Sequence, residues 1–449
     1  MADLPEGFIN QMQARLGPGY DAFLASFSHP VPVSVRYNTG KLHPPEGRAV
    51  PWCANGRYLD HRPTFTLDPL FQAGGYYVQE ASSMLLEQAV SQSVDLSSSL
   101  VVLDLCAAPG GKSTHLLSLL SRDSLLFANE AIRGRTGMLA ENIEKWGYEN
   151  VIVTNNDPSD LRRLTNYFDL ILVDAPCSGE GMFRKEPEAM REWSERNVEL
   201  CSLRQRRIVT DAWQSLKPGG VLIYSTCTYN HHENLGILNW MSVQYNFQFE
   251  SITLNPKWGV EPVHENSSVG YQCFPDRVKG EGFFFAVIRK LGQAGSRSLH
   301  TKNKLRHPSE KDLGAIREWI TNSGESQFFL HDQQVRFFPV QHEHHLLTAL
   351  DNLHVVQAGT GIGEIMKNKI VPDHSLALSV RRNRSTLPGI SLDGQQALTY
   401  LRRDPLAIEA PGIGFYVVEY DGLGLGWVNV LPSRINNLFP SGRRIRMTD

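Results

Sequence analysis

The 449-residue chain has no apolar run approaching the roughly 18 residues needed to cross a bilayer; its most apolar stretch, Phe283-Phe284-Phe285-Ala286-Val287-Ile288, is strand-length. The opening Met1-Ala2-Asp3-Leu4-Pro5-Glu6 lacks the basic and apolar regions of a secretory signal. Cysteine is scarce: six residues, none in close-spaced pairs, which excludes a disulfide framework or a cysteine-rich zinc site. A cytoplasmic protein with reduced, chemically usable thiols is expected. Net charge is also small, at −3, which argues against a protein that merely coats a polyanion. The charge is uneven, however. From Arg297 onward the balance is +3, leaving −6 for the rest, the pattern of an enzyme with a basic appendage.

The sequence divides into four parts. Residues 1–75 carry two helical patterns, Phe8/Ile9/Met12/Leu16 and Tyr20/Phe23/Leu24/Phe27, separated by Gly17-Pro18-Gly19, and then a strand-like run from Pro32 to Asn38. Residues 76–292 alternate buried-strand runs with helical segments: Val101–Leu105, Leu125–Ala128, Val151–Val153, Leu170–Val173, Val221–Tyr224 and Phe283–Ile288. That alternation predicts a doubly wound α/β domain with a largely parallel sheet, whose ligands lie beyond the carboxyl ends of the strands. A linker beginning at Gly292 leads into a mixed region over 293–378. Residues 379–449 read as a small β-rich module punctuated by glycine and ending in basic residues Arg434, Arg443, Arg444 and Arg446.

The first strand runs into Cys106-Ala107-Ala108-Pro109-Gly110-Gly111-Lys112. This turn lacks the earlier glycine of a Walker A loop and the spacing of a dinucleotide fingerprint. It does allow a ligand close to the backbone, with helix N–H groups facing an anionic group such as the carboxylate of an amino-acid-like cofactor. Acidic residues follow the next strands in order: Glu130, Asp157 and Asp174. Glu130 is placed to bind ribose hydroxyls, and Asp157 to accept from an adenine amino group. Singly, such acids are turn-formers and caps. Three in sequence after a glycine-rich turn are the layout of an S-adenosylmethionine site.

Two strands end in cysteine, one at Asp174-Ala175-Pro176-Cys177-Ser178 and the other at Ser225-Thr226-Cys227-Thr228. A lone strand-end cysteine is usually an inert hydrophobe; two on the ligand side of one sheet suggest chemistry. The Asp-Ala-Pro-Cys segment differs from the Asn/Asp-Pro-Pro-aromatic pattern common in methyltransferases that act on amino groups. Carbon 5 of cytosine is a poor nucleophile until a thiolate adds to carbon 6. That reaction needs a reactive cysteine, a group on N3 and a base for the carbon 5 proton, for which Cys227, Asp174 and Cys177 are candidates in that order.

These segments resemble the Nop/Sun family of RNA cytosine-5 methyltransferases, and within it the bacterial RsmF-type enzymes of 16S ribosomal RNA. The resemblance rests on Gly75 to Ser82, Cys106 to Lys112, Asn129-Glu130, Asp174 to Gly181, Phe183 to Pro187, Leu216 to Gly220, Ser225 to Thr228, Glu233-Asn234 and Gly280 to Phe284, with Arg36-Tyr37-Asn38 a weaker match upstream. It implies a Rossmann-like S-adenosylmethionine-dependent domain, an N-terminal α+β RNA-binding region and a C-terminal module similar to PUA domains. It also implies that Cys227 is the nucleophile, that Cys177 releases the product, and that Cys106 to Lys112, Glu130, Asp157 and Asp174 line the cofactor. DNA enzymes use the Pro-Cys cysteine as nucleophile, so the presence of both cysteines favours RNA. A transfer RNA substrate and a non-catalytic ribosome assembly factor are the alternatives, and the intact cysteine pair argues against the second.

The remaining features have plainer readings. His231-His232 and His342-Glu343-His344-His345 lack the spacing and companions of a metal site, so no metal is expected. Arg204, Arg206 and Arg207 fit a solvated helix face, whereas Arg184 and Lys185, directly after the first cysteine loop, are candidates for RNA contact. Cys53, Cys201 and Cys273 read as packing residues. The expected partner is ribosomal RNA, free or in the small subunit, with the protein acting as a monomer away from membranes.

Overall fold

A computed structural model describes residues 4–293, 301–302, 304–331, 333–366 and 369–447. The expected linker therefore lies outside the described residues from position 294 to its end at 298. As the glycine-proline break predicts, the chain opens with helices Glu6–Leu16 and Tyr20–Ser26. Their apolar faces do not form a separate core. Phe8, Met12, Tyr20 and Phe23 pack against Phe183, Trp193, Tyr229 and Phe274 of the α/β domain. Phe23 meets Tyr229 edge-on with ring centroids 5.3 Å apart. Each fully buried phenylalanine contributes roughly 1.5–3 kcal/mol, so the N-terminal helices are firmly seated on the loops that carry the cysteines.

Strand β1 (Val33–Tyr37) lies between β2 (Gly56–Leu59) and β3 (Tyr76–Val78) in a small antiparallel sheet. β3 begins just past the division expected at residue 75, yet it hydrogen-bonds to β1; the N-terminal sheet thus extends to Val78. Next come β4 (Val101–Asp104), β5 (Leu125–Asn129), β6 (Val151–Thr154), β7 (Phe168–Asp174) and β8 (Leu216–Thr226), all mutually parallel. Short β9 (Phe247–Phe249) and then β10 (Glu261–Glu265), β11 (Ser268–Cys273) and β12 (Phe283–Lys290) form an antiparallel flank on β8. The parallel strands read as near-continuous apolar runs because both faces are covered. In β4, Val102 belongs to one core with Leu116 and Ile143, while Leu103 belongs to the opposite core with Val209 and Ala212.

The region 293–378 contributes β13 (Ser326–His331), β14 (Gln334–Pro339), β15 (Val355–Ala358), β16 (Thr360–Met366) and β17 (Lys369–Pro372). Four of these make their own antiparallel sheet, but β15 pairs antiparallel with β6 and closes the far edge of the large one. The large sheet runs β10-β11-β12-β8-β7-β4-β5-β6-β15, so chain progression reverses at β4. A crevice at the carboxyl ends on either side of β4 is the place such a sheet offers a ligand.

The C-terminal module contains β18 (Gly389–Ser391), β19 (Gly414–Tyr420), β20 (Leu423–Leu431) and β21 (Arg434–Asn437). Its core takes in Ala73, Leu42, Leu67 and Leu70 from the N-terminal region. Arg443, one of the basic residues noted at the end of this module, donates to Glu144 at 2.6 Å, and Glu141 lies 3.8 Å away. Both acids sit on helix Arg133–Trp146 of the α/β domain. The tail therefore clamps that domain, because a partly buried guanidinium finds two carboxylates one helical turn apart.

Candidate active site

The glycine-rich turn follows β4 directly. Gly110, at φ +112°, is in a region favouring glycine and caps helix Gly111–Leu119. A side chain on Gly111 would press its Cβ to 3.0 Å from the Tyr77 ring. The turn's carbonyl groups are pinned from the next helix: Arg135 Nη2 donates to Ala108 O at 2.6 Å and Asn142 Nδ2 to Pro109 O at 2.8 Å. Behind it, the buried Arg36 guanidinium lies over Trp146 and donates to Gly111 O at 3.2 Å and Thr114 Oγ1 at 2.7 Å. Cys106, Ala107 and Ala108 line the start of the turn. Burial first, and then Asp104, Asp174 and Glu130, hold the Cys106 thiol well above its usual value. Cys106 thus remains a neutral lining residue.

Glu130, just beyond β5, is buried; its Oε1 accepts from Ile132 N at 2.8 Å. Its Oε2 has no hydrogen-bond partner among the described residues, and Arg135 Nη1 stands 3.6 Å away. A buried carboxylate oxygen left unpaired is costly, and a ribose hydroxyl would satisfy it, so the residues present fit a nucleoside cofactor here. Asp157 is different. It caps the short helix Pro158–Arg163, accepting from Ser159 N and Oγ, and its second oxygen lies 3.3 Å from Arg207. The expected acceptor for an adenine amino group is already engaged locally. Lys112 donates to Asp174 Oδ2 at 2.7 Å, while Ser225 Oγ donates to Asp174 Oδ1 at 2.8 Å. Burial opposes the Lys112 ammonium, but Asp174 outweighs it and holds it above its usual range.

β7 and β8 are neighbours, so their end loops bring the two cysteines together: Cys177 Sγ is 3.1 Å from Cys227 Sγ. Cys227 N also donates to Cys177 Sγ, at 3.4 Å. The Cys177 thiol is held well above its usual value, first by its hydrogen bond with Cys227 and then by burial.

Two buried glutamates that the sequence reading left without a role hold these loops. Glu180 lies three residues after Cys177. It accepts from Thr228 Oγ1 at 2.7 Å, Tyr229 N at 2.8 Å and Asn230 N at 2.9 Å on the Cys227 loop. It also accepts from Trp193 Nε1 at 3.0 Å and from Gln11 Nε2 of the N-terminal helix at 3.2 Å. Glu233 accepts from Ser178 N at 3.0 Å, Gln205 Nε2 at 2.7 Å and Asn230 Nδ2 at 2.6 Å. A charged residue three positions after Cys177 and another six positions after Cys227, each in an otherwise buried stretch beyond a strand end, was the available signal.

Other sequence expectations shift. Arg184 is spent inside the protein: its side chain is buried 3.6 Å from Glu281, and Nη2 donates to His29 O and Pro30 O. Arg206 stacks over Trp240 rather than facing solvent freely. His342 is buried, and His345 Nδ1 meets Tyr167 Oη at 2.6 Å, a packing role. Cys53 is buried, as are Cys201 and Cys273. With Glu87 and His115, Cys53 forms a compact trio whose groups already bond to one another, His115 Nε2 to Glu87 at 3.2 Å.

A parallel sheet reversing at a glycine-rich turn, with a buried, partly unpaired acid and two adjacent thiols at its carboxyl edge, is the architecture of an S-adenosylmethionine-dependent methyltransferase. Residues 92–289 match the family described as 16S rRNA methyltransferase RsmB/F. Residues 4–81 match the N-terminal domain of 16S rRNA methyltransferase RsmF, and 388–445 the RsmF PUA domain. The chain is 32% identical to ribosomal RNA small subunit methyltransferase F of Vibrio cholerae, over 97% of both chains. To the protein of that name from Shewanella loihica it is 29% identical over 98% of this chain and 95% of the other. A solved methyltransferase homologue from Pyrococcus horikoshii shares 27% identity at a TM-score of 0.55, covering 65% of this chain and 96% of its own. The chain belongs to the RsmF family of 16S ribosomal RNA methyltransferases.

Proposed function

We propose that this protein methylates carbon 5 of a cytosine in small-subunit ribosomal RNA, through a covalent bond between Cys227 and the base. The observation that carries this reading is the contact between Cys177 and Cys227, beside the Lys112–Asp174 pair. S-adenosylmethionine, held by the turn from Cys106 to Lys112 and by Glu130, supplies an electrophilic methyl group. The chain's own residues do the rest. Cys227, as thiolate, adds to carbon 6 while Asp174 holds the proton at N3, so that negative charge does not build up on the ring. Carbon 5 then accepts the methyl group and carries both it and its original proton. Bonding of Cys227 to the ring removes the hydrogen-bond partner that most raised Cys177, so that Cys177 can release its own proton to solvent and, as thiolate, take the proton from carbon 5. Breaking of the carbon–sulfur bond, with loss of the proton held at N3, restores the aromatic ring and the Cys227 thiolate.

Assembly of the two thiols opposes the reading as a non-catalytic assembly factor. The family's names favour ribosomal over transfer RNA as substrate. The protein is further read as a cytoplasmic monomer that needs no metal; among the described residues no helix is long and apolar enough to cross a membrane. A denaturing gel tests the mechanism. Cys227→Ala should lose methylation and any protein–RNA adduct, whereas Cys177→Ala should methylate, release slowly and accumulate adduct. Adduct on the first variant and none on the second would reverse the two roles, and none on any form would end the covalent reading.

A further inference from the structure

We propose that a small cavity between the N-terminal region, the 377–384 segment and the C-terminal module binds a phosphate group, supplied by the RNA backbone. It measures about 210 Å³ and is lined by Lys41, Arg382 and Arg384 together with Gly40, Leu423 and Gly424; no lining residue is acidic. Pockets for drug-sized ligands run to about 300–1,000 Å³, so this one suits a compact anion rather than a nucleobase with its sugar.

The charges around it do not balance. Arg382 is buried and pairs with Glu419 through Nη2. Its Nη1 is buried and has no hydrogen-bond partner among the described residues. Lys41 donates to two neutral carbonyl oxygens, Ala73 O at 2.8 Å and Lys145 O at 2.5 Å. Burial, and after it the nearby Arg382, push the Lys41 ammonium down to about 7. Arg384 is exposed at the rim, where Nη2 donates to Gly422 O at 2.6 Å. Two guanidinium groups and the Lys41 amine thus face one cavity with a single carboxylate bonded among them, and burying such groups together in their charged forms is unfavourable unless an anion joins them. Planar guanidinium groups beside an amine that an anion would hold protonated are the donor set that recognises phosphate oxygens. The three basic groups come from two separate parts of the chain, and a bound phosphate would link them.

The phosphate could be a backbone phosphodiester or the free ion, and the RNA source rests on the substrate reading above. Two measurements on the full chain separate these cases. First, thermal unfolding is followed in inorganic phosphate against chloride at matched ionic strength, for the wild type, Arg384→Gln and Lys41→Gln. Phosphate should raise the wild-type midpoint, with the gain reduced in both variants. Arg384→Gln alters an exposed residue, so the comparison stands even if Lys41→Gln folds poorly. Second, the salt dependence of RNA affinity is measured: loss of one phosphate contact should reduce the slope of log affinity against log salt by about one. Both effects together support an RNA phosphate. Phosphate stabilisation with an unchanged RNA slope keeps the anion site and overturns its RNA source. No phosphate effect beyond chloride, or an equal effect in Arg384→Gln, overturns the site. The Cys227 adduct is read separately, so failure of the methylation mechanism would remain distinguishable.

Discussion

The two halves of the sheet's carboxyl edge treat their carboxylates in opposite ways. At the end of β4 and just beyond β5, Asp104 and Glu130 each keep one buried oxygen without a hydrogen-bond partner among the described residues. Beyond β7 and β8, Glu180 and Glu233 have their oxygens occupied by backbone, hydroxyl, amide and indole donors from several segments. An unpaired buried oxygen is a place for a ligand; a saturated one is a brace. On the proposed function, the first half receives a cofactor and the second holds two sulfur atoms at a fixed separation.

The largest effect expected from this contrast is at Glu180. Glu180→Ala would strand the donors of Thr228, Tyr229, Asn230 and Trp193 in a buried setting, and should cost about 3–5 kcal/mol of stability. Turnover should fall further than stability alone explains, because the Cys227 loop would lose its tie to the Cys177 loop. The conservative Glu180→Gln keeps the shape and some acceptor capacity, so it should recover part of both. Urea unfolding and cofactor calorimetry on both variants check this. Cofactor affinity should stay near wild type in whichever variant folds, and an equal loss of cofactor binding and turnover would erase the distinction between the halves.

Much of the second half was legible in the sequence, and its bracing was not. Strand-length apolar runs mark β4 to β8 within a few residues, because strands buried on both faces declare themselves locally. The cysteines were legible for a related reason: each sits at a strand end, where ligands are met. Glu180 was not, since its partners include Gln11, 169 positions away, and no periodicity reports such a distance. The same limit hid the seating of Phe8 and Phe23 on Tyr229, the addition of β15 to the large sheet, and the clamp from Arg443 to Glu144. At Asp157 the plainer of two sequence readings describes its present bonds, because Ser159 two positions later offers both N–H and hydroxyl to the same carboxylate.

A smaller effect, and opposite in kind, is expected at Glu130. Its Oε2 has no hydrogen-bond partner among the described residues and only a 3.6 Å ion pair with Arg135, so Glu130→Ala should cost less stability than Glu180→Ala while removing a charge-assisted bond to ribose. That loss is worth about 1.5–3 kcal/mol, or roughly 10–150-fold in S-adenosylmethionine affinity. Isothermal calorimetry measures it. Affinity equal to wild type would take Glu130 out of the site, and a large loss of stability with it would make Glu130 a brace like Glu180.

Asp104 stands between the two behaviours and gives the smallest effect. Its Oδ2 accepts from Ser113 Oγ at 2.6 Å, and its Oδ1 has no hydrogen-bond partner among the described residues. Burial pushes its carboxyl up to about 7; Asp174 adds to the rise, while the Ser113 hydrogen bond and Lys112 oppose it. In the unfolded chain the group titrates near its ordinary value, about 3.9. Between those two values the folded protein keeps a proton that the unfolded chain has released. The stabilisation from that proton is therefore complete below about pH 4 and is lost as pH rises through about 7, at no more than about 1.4 kcal/mol per pH unit. Asp104→Asn carries no titrating proton, so its stability should change less than the wild type's between pH 5 and pH 7. Urea midpoints for both proteins across that range give the comparison. Parallel curves would mean that Asp104 is ionised throughout and that its free oxygen is stabilised as an anion, which would move it from the receiving half of the edge to the braced one.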